Sequence, residues 1–315
     1  MHCPLCRQAE LVSTQRKIRL DDVLHRWEAA SQAIRFPSSV WDSVAAYDEP
    51  IEIFQCPTCS FGCTYPVVPG SQEFYETISA VDYYNEEKWE FEQADEDLRS
   101  YARSNILDVG CGSGFFLDAL KKRNPTALLT GYDANGALLP PLAARGLKTL
   151  SDLNDCAGRF DAITMLQVLE HVGDPVALLE LCTSLLSTNG SLIITTPNAA
   201  GPIRHFPDAH TELPPHHLTY WTADTFLKAL PLLGLEVVSV RYEPLPDYLW
   251  DSYLPAIWSE NPWPALIFDP IGKARGLEGV SQLAGFAARA MTAAGIRRLN
   301  GIPGHTIYVH ARRRS

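Results

Sequence analysis

The sequence predicts an α/β fold in which a doubly wound parallel sheet follows a small cysteine-bearing segment. Three observations support this prediction. Short apolar runs alternate with helical patterns from residue 105 onwards, a glycine-rich turn joins the first run to its helix, and two Cys-x-x-Cys pairs come before them. Strands and helices that alternate in this way place helices on both faces of a parallel sheet.

The composition is that of an ordinary globular chain. Its 315 residues are 46% hydrophobic, enough for a full-size core, and their formal net charge is −11. This negative charge argues against broad binding of phosphate backbones, so nucleic acid is not an expected partner. The N-terminus lacks a signal-peptide pattern, and no apolar run reaches the roughly 18–20 residues of a membrane span. We therefore expect a cytoplasmic protein with a small-molecule substrate.

Two cysteine pairs near the N-terminus predict a metal site. Cys3 and Cys6 form one pair, and Cys56 and Cys59 form the other. Two turns of this spacing bring four thiolates to one zinc ion, and because four thiolates close its coordination shell the zinc would be structural. Cys63 either replaces one ligand or packs in the core. Reduced thiols without metal and a redox pair are the alternatives.

The segment between the cysteine pairs carries apolar residues at helical spacing, which predicts a helix over 20–34. We divide this part of the chain into a zinc module over 1–70 and a helical link over 71–104. The link is acidic and aromatic, so packing on the next domain is its simplest role. The functional alternative is that Tyr83 or Tyr84 closes over a ligand at the mouth of the glycine turn.

The run from Asn105 to Leu117 predicts a strand, a glycine turn and a helix. Gly110, Gly112 and Gly114 let the backbone turn tightly and approach a ligand, and the helix N-terminus presents unpaired N–H groups. Asp133 ends the next strand candidate about 20 residues later, where a carboxylate is placed to accept hydrogen bonds from ribose hydroxyls. A capping aspartate is the simpler alternative, but the turn and the acid together predict a nucleotide site.

The remaining patterns complete the alternation. They predict strands over 127–132, 147–150, 160–171 (running into a loop), 191–196, 235–242 and 305–311, and helices over 138–145, 174–186, 222–233 and 277–294. The aromatic insertion over 243–304 is either a cap on the sheet, a substrate lid, a dimer surface or a contact for a lipid-linked substrate. The sequence does not choose among these roles and leaves the oligomeric state open.

Five motifs in this order resemble the class I S-adenosylmethionine-dependent methyltransferases over about residues 103–242. They are Leu107-Asp-Val-Gly-Cys-Gly-Ser-Gly114, Asp133, Phe160-Asp161, Leu169-Glu-His-Val172 and Thr196-Pro-Asn198. The resemblance implies a Rossmann-like seven-stranded sheet whose last two strands are antiparallel. A nicotinamide dehydrogenase is the alternative, but its G-x-G-x-x-G spacing differs and Leu-Glu-His-Val has no role there.

The resemblance also implies roles for individual residues. Gly110, Gly112 and Gly114 would line the methionine part of S-adenosylmethionine, Asp133 would bind the ribose hydroxyls, Asp152 the adenine edge, Gln167 would sit beside the sulfonium, Asp108 would orient the turn or the cofactor amine, and Tyr84 would cover the cofactor. The cysteine pairs followed by Tyr83-Tyr84 look like a zinc-ribbon-bearing subgroup of small-molecule methyltransferases that includes sugar C-methyltransferases. This second resemblance implies a sugar or sugar nucleotide as the acceptor.

The candidate catalytic residues are His171, His216, His217 and Tyr220. Histidine can accept a proton near neutral pH, and the loop with His216, His217 and Tyr220 follows the fifth strand at the edge where open α/β sheets bind ligands. Packing or capping is the structural alternative for each. Two other functions remain open: an RNA methyltransferase that uses the zinc module as a clamp, and a cofactor-binding scaffold without turnover.

Overall fold

The computed structural model describes residues 1–79, 88–99, 104–156, 159–260 and 277–314. These residues form two compact units, one made of 1–197, 208–240 and 308–315 and the other of 198–207 and 241–307. The predicted boundaries at residues 70 and 104 stay predictions. Within the described ranges, every helix is too short or too polar to cross a bilayer.

The N-terminal segment contains a small sheet that the sequence did not predict. Its elements are β1 (Val12–Ile18), α1 (Leu20–Ala30), α2 (Ser38–Ala45), β2 (Ile51–Gln55) and β3 (Gly62–Tyr65). A two-residue strand from much later in the chain, β9 (Thr219–Tyr220), pairs antiparallel with β3 and completes the strand order β1-β2-β3-β9. The predicted helix over 20–34 therefore ends at Ala30, and a second helix follows it.

Helices α1 and α2 cover this small sheet because their apolar faces meet one buried cluster. Val23 and Trp27 of α1 and Val40 of α2 join Ile51 of β2 in that cluster, together with Phe74 from farther along the chain. The link that follows contributes α3 (Gln72–Ile78) and α4 (Trp89–Asp97). The Ser71 side chain caps α3 by accepting a hydrogen bond from the backbone N–H of Phe74.

The predicted seven-stranded sheet is confirmed. Its strands are β4 (Asn105–Val109), β5 (Leu128–Tyr132), β6 (Lys148–Leu150), β7 (Phe160–Leu166), β8 (Leu186–Pro197), β10 (Leu235–Pro246) and β11 (Arg298–Arg313). They lie in the order β10-β11-β8-β7-β4-β5-β6, and the pairs from β6 through β8 are parallel. The carboxyl ends of β4, β5 and β7 therefore meet at one edge, which is where open α/β sheets bind ligands.

The helices of the sheet begin and end at the expected signals. They are α5 (Phe115–Arg123), α6 (Leu139–Ala144), α7 (Pro175–Leu185) and α8 (Ala223–Ala229). Three basic residues in the last turn of α5 complement its dipole, and the Asp174 side chain caps α7 with Pro175 in the first helical turn. Single-turn 3-10 helices span Gly136–Leu138, Leu169–His171, Pro202–His205, His210–Glu212, Leu230–Leu233 and Asp247–Leu249.

The second unit contains α9 (Trp250–Glu260) and α10 (Leu277–Ala293). The prediction of an Ala-rich helix over 277–294 agrees with α10. Trp250, Tyr253 and Trp258 of α9 pack with Ala284 and Ala288 of α10 in one buried cluster. Small residues on one helix thus receive large aromatic rings from the other, which accounts for the composition of this stretch.

Candidate functional site

Four cysteines converge in the N-terminal segment, as their spacing predicts. Cys3 Sγ lies 3.7 Å from Cys59 Sγ, and Cys6 Sγ lies 3.5 Å from Cys56 Sγ. All four thiols are buried and reduced, and their sulfurs lie within 4.8 Å of one another. A tetrahedral zinc ion with bonds of about 2.3 Å holds its sulfurs about 3.8 Å apart. The four-cysteine cluster therefore fits a tetrahedral metal, and the half-buried Cys63 lies outside it.

Backbone groups within the second cysteine turn favour the thiolate form. Burial alone would raise the pKa of Cys56, but N–H groups of Cys59 and Thr58 offset it and lower the pKa to about 7. The N–H of Cys59 lies 3.4 Å from Cys56 Sγ. Burial instead raises the pKa of Cys59 in the same turn and that of Cys3, so among these three thiols only Cys56 favours the thiolate, which is the form that binds a metal.

The glycine turn forms a cradle at the carboxyl end of β4. Gly110, Gly112 and Gly114 all have left-handed backbone, with φ of 74°, 51° and 80°. A Cβ on Gly110 would lie 2.5 Å from Val168 Cγ2, so a side chain cannot fit there without displacing that residue. We call these three glycines the glycine cradle. Its backbone conformation and close packing explain why glycine occupies these positions.

Asp133 ties the cradle to the next strand. Gly112 N–H donates to Asp133 Oδ2 at 2.8 Å, and Asn135 N–H donates to Oδ1 at the same distance. Burial raises the pKa of this half-buried carboxyl, while those two N–H groups oppose the rise. Each carboxylate oxygen carries a second lone pair, so Asp133 can still accept hydrogen bonds from a ligand.

Three other predicted cofactor residues lie in different surroundings. Asp108 is buried in β4, where Thr164 Oγ1 donates to its Oδ1 at 2.6 Å, and burial raises its pKa to about 7. Gln167 follows β7 with φ of 59°, a conformation rare outside glycine. Asp152 is exposed, and its Oδ1 accepts from the N–H of Asn154 in a turn. Tyr84 lies outside the described residues.

Three histidines from two separate segments of the chain converge. His171 ends the 3-10 turn after β7, whereas His216 and His217 precede β9. One ring nitrogen from each lies within 4.8 Å of the others, and the ring centroids are 4.4 to 4.8 Å apart. Backbone bonds hold the two segments together, because Leu218 N–H donates to Glu170 O at 2.7 Å. We call His171, His216 and His217 the histidine cluster.

Each of these histidines has its Nδ1 beside an oxygen. His171 Nδ1 donates to the carbonyl oxygen of His216 at 2.8 Å, and His216 Nδ1 donates to that of Thr211 at 2.7 Å. His217 Nδ1 lies 3.3 Å from a carboxylate oxygen of Glu212. A carbonyl oxygen only accepts, so Nδ1 carries the hydrogen in the first two rings and Nε2 carries the lone pair.

Burial and charge separate the three histidines. Burial lowers the pKa of His171 to about 3 and holds that of His216 well below its usual value. Burial also disfavours charge on His217, but the carboxylates of Glu212 and Glu170 outweigh it and raise its pKa. The three imidazoles therefore differ in how readily they take a second proton, and His217 takes one most readily.

Two glutamates at this site were not singled out from the sequence. Glu170 is 1% exposed, its Oε1 lies 3.8 Å from His171 Nε2, and its Oε2 has no hydrogen-bond partner. Burial raises the pKa of Glu170 to about 7. Its position within the Leu-Glu-His-Val motif was the available signal. Glu212 gave no signal, since only the fold brings it to His217.

The structure places Tyr220 in β9, with its ring against the N-terminal core. Its hydroxyl donates to the backbone carbonyl of Glu212 at 3.1 Å. Burial raises the pKa of this phenol. The hydrogen bond anchors the segment that also carries Glu212, and the predicted catalytic role of Tyr220 stays a prediction.

Comparison with known proteins supports the interpretation of the cradle. A family model described as a methyltransferase domain matches residues 77–240. The ubiquinone biosynthesis O-methyltransferase of Marinobacter nauticus is 33% identical over 112 residues, which cover 31% of this chain and 46% of the relative. The enzyme of the same name from Coxiella burnetii is 34% identical over 104 residues, covering 30% and 44%. The matches thus span less than half of these relatives.

Solved structures give more distant matches. A SAM dependent methyltransferase from Archaeoglobus fulgidus has 18% identity and a TM-score of 0.45, covering 71% of this chain and 94% of its own. The plantazolicin methyltransferase BpumL in complex with SAH has 16% identity and a TM-score of 0.45, covering 76% and 91%.

Proposed function

The chain belongs to the methyltransferase domain family, and from this premise we propose that it transfers a methyl group from S-adenosylmethionine to an oxygen of a small-molecule acceptor. The observation that supports the cofactor most directly is the bond from Gly112 N–H to Asp133 at the carboxyl edge of the sheet. This hydrogen bond holds the Asp133 carboxylate beside the glycine backbone, which can approach a ligand closely because it lacks side chains.

The proposed cofactor roles follow this edge from β5 to β7. The cradle would hold the methionine part, Asp133 would accept hydrogen bonds from the ribose hydroxyls, and Gln167 would contact the region of the sulfonium. Asp152, in the exposed turn after β6, lies at the adenine edge. Asp108 acts indirectly, because its side chain is held by Thr164 within the sheet and orients the cradle.

The main contribution of the chain to this reaction is to position the acceptor oxygen against the methyl group. When bound, the cofactor supplies a methyl group that its sulfonium already activates. In the transfer, a bond forms between the acceptor oxygen and the methyl carbon, and the C–S bond breaks with its electron pair left on sulfur. The acceptor hydroxyl loses its proton. Val168, whose side chain packs against Gly110, is the N-cap of the 3-10 turn that ends at His171, and this connection supports a place for the histidine cluster near the bound cofactor. We assign the handling of the acceptor proton to this cluster.

A hydroxyl acceptor is supported by the names of the relatives, which are O-methyltransferases. A sugar or sugar nucleotide, suggested by the resemblance of the cysteine pairs, also offers hydroxyls. Among hydroxyl acceptors, phenols and catechols ionise more easily than sugar hydroxyls. A cluster of mostly neutral imidazoles therefore favours a phenolic acceptor over a sugar.

We also propose that the four-cysteine cluster holds a structural zinc ion. The sulfur separations support this assignment, and four thiolates leave no open coordination position for a substrate. The zinc would join the turn that precedes β1 to the turn between β2 and β3, and through the pairing of β3 with β9 it would support the loop that carries His216 and His217.

A methyl-transfer assay tests the proposed function. The purified chain is incubated with methyl-labelled S-adenosylmethionine and a panel of catechols, phenols, sugar nucleotides and transfer RNA. We expect label in a hydroxyl of a small molecule, and no label with Asp133→Ala. Label in RNA alone would favour the RNA-clamp alternative. Binding of S-adenosylhomocysteine without label in any acceptor would favour a scaffold without turnover.

A further inference from the structure

We propose that the histidine cluster and Glu170 bind a first-row divalent cation, at a site separate from the four-cysteine cluster. The three imidazoles come from two segments that the fold brings together, and one nitrogen of each lies within 4.8 Å of the others. Three imidazoles on a metal such as zinc, with bonds of about 2.0–2.1 Å, hold their nitrogens about 3.3 Å apart. To reach that geometry the rings would close inward by roughly an ångström, and the stacked rings of His216 and His217, now 17° from parallel, would tilt toward one another.

The tautomers are already those of metal ligands. A histidine that binds a metal through Nε2 usually donates its Nδ1–H to a carbonyl or carboxylate oxygen, which fixes the ring. His171 and His216 donate to carbonyl oxygens at 2.8 and 2.7 Å. His217 faces the Glu212 carboxylate at 3.3 Å. In His171 and His216 the lone pair that a cation needs is therefore carried on Nε2, and His217 would present its own in the same way once it gives up its second proton to bind the cation.

Glu170 provides a second, independent observation. Its side chain is almost fully buried, yet Oε2 makes no hydrogen bond. A buried carboxylate oxygen without a partner costs free energy, so natural proteins rarely leave one unmatched. Its other oxygen lies 3.8 Å from His171 Nε2, which puts the carboxylate at the cluster. A bound cation would give Oε2 the partner it lacks.

The charges at the site also balance around a divalent cation. Glu170 and Glu212 are carboxylates, and the three imidazoles bind a metal in their neutral form. One divalent cation neutralises both carboxylates, with Glu170 as a ligand and Glu212 orienting His217 from outside. Three imidazoles and one carboxylate suit zinc, iron, cobalt or nickel better than magnesium or calcium.

The site has an entrance and a place in the proposed reaction. The side chain of His171 is 17% exposed, so a cation can enter past that ring. With its imidazoles bound to the cation, the cluster would act on the acceptor proton through the metal and not as a free base. A five- or six-coordinate cation keeps positions for an acceptor oxygen, and coordination lowers the pKa of a bound hydroxyl, which then releases its proton to solvent. This role rests on the proposed methyl transfer, but the binding of the cation does not.

Metal content tests the proposal without any activity measurement. The full chain is equilibrated with Zn²⁺, separated from unbound ion by gel filtration and analysed for zinc per chain. We expect about two ions in the wild type, one at each cluster, and about one in His171→Gln and in Glu170→Gln. His205→Gln is the matched control, since the side chain of His205 is 16% exposed and lies 3.5 Å from a glutamate. It should keep both ions.

Cobalt distinguishes the two sites in the same proteins. Thiolate ligands give Co²⁺ an intense charge-transfer band that imidazole ligands lack. The wild type and His171→Gln should therefore share this band, which reports the four-cysteine cluster. Only the wild type should bind a second equivalent of Co²⁺, at the histidine cluster. Circular dichroism identifies variants that fail to fold. A wild type that holds a single ion, or a second ion retained in both cluster variants, would overturn the proposal. Either result leaves the methyl-transfer assay unaffected.

Discussion

The glycine cradle and the histidine cluster lie at the same edge of the sheet but are built in different ways. The cradle occupies five consecutive positions, and its partner Asp133 ends the neighbouring strand. The histidine cluster joins residues that are 45 positions apart, through the hydrogen bond from His171 to His216. The cradle works through backbone N–H groups and missing side chains, whereas the cluster works through imidazoles and buried carboxylates.

Because of this difference, mutations can separate cofactor binding at the cradle from turnover at the cluster. A change in the cradle should alter cofactor affinity, while a change in the cluster should alter turnover and leave cofactor affinity nearly intact. The N-terminal part of the chain supports the cluster, since Trp27 packs edge-on against His216 and Tyr75 of α3 donates a hydrogen bond to its carbonyl oxygen.

Cys56→Ser should have the largest effect, because it opens the four-cysteine cluster. Loss of the zinc should cost at least about 4 kcal/mol of stability and lower the melting temperature by about 10 °C. Methyl transfer should fall with it, while any protein that stays folded should keep its affinity for S-adenosylhomocysteine. Cys63→Ser is the control, because that half-buried thiol lies outside the cluster. Equal effects of the two substitutions would contradict the assignment.

Asp108→Asn should change how stability depends on pH. The pKa of Asp108 is about 7 in the folded chain and 3.8 in a model peptide, so the folded state holds its proton more tightly. Its contribution is complete below about pH 4 and is lost as pH rises through about 7, a change of about 4 kcal/mol. The variant should lose this slope and exceed the wild type in stability at pH 8. Parallel melting curves across pH 4–8 would refute the shift.

Gly110→Ala should weaken the cradle. The substitution forces a side chain into left-handed backbone at φ of 74° and against Val168 at 2.5 Å, which should cost about 1–3 kcal/mol of stability. Cofactor affinity should fall as well, because the backbone that faces the ligand must shift. Gly136→Ala serves as the control, since an added Cβ meets nothing within 4 Å there. Calorimetry and thermal melts on both variants check the contrast.

Tyr220→Phe should have the smallest effect. It removes one hydrogen bond, to the carbonyl oxygen of Glu212, and should cost about 1 kcal/mol of stability while the rate of methyl transfer changes less than about twofold. A fall of tenfold or more in kcat with unchanged stability would instead favour the catalytic role that the sequence predicts for Tyr220.

The central sheet could be predicted because its signals are local. Strand β4, the glycine turn and α5 are contiguous, and α7 begins at an Asp-Pro pair that caps a helix. The four-stranded N-terminal sheet could not be predicted in the same way. Most side chains of β1 are exposed or half-buried, so this strand lacks a clear apolar pattern. Strand β9 has only two residues, and the strand it pairs with, β3, lies more than 150 positions earlier in the chain.

The same distinction holds for the sites. The cysteine pairs predict their cluster because each Cys-x-x-Cys turn is contiguous in the sequence. The three histidines were predicted from the Leu-Glu-His-Val motif and from the position of their loop after the fifth strand. Glu170 and Glu212 were missed because burial and proximity to His217, which only the fold creates, give them their roles. Asp152 was chosen by its place after a strand, where it also caps its own turn.

Calorimetric titration with S-adenosylhomocysteine tests the central claim most directly. The titration compares the wild type with Asp133→Ala in the cradle and His217→Gln in the cluster. We predict that the wild type and His217→Gln bind with affinities within about threefold of each other, whereas Asp133→Ala loses about 10- to 100-fold, the value of hydrogen bonds to a charged group. Unchanged affinity in Asp133→Ala would contradict the cofactor site at the glycine cradle.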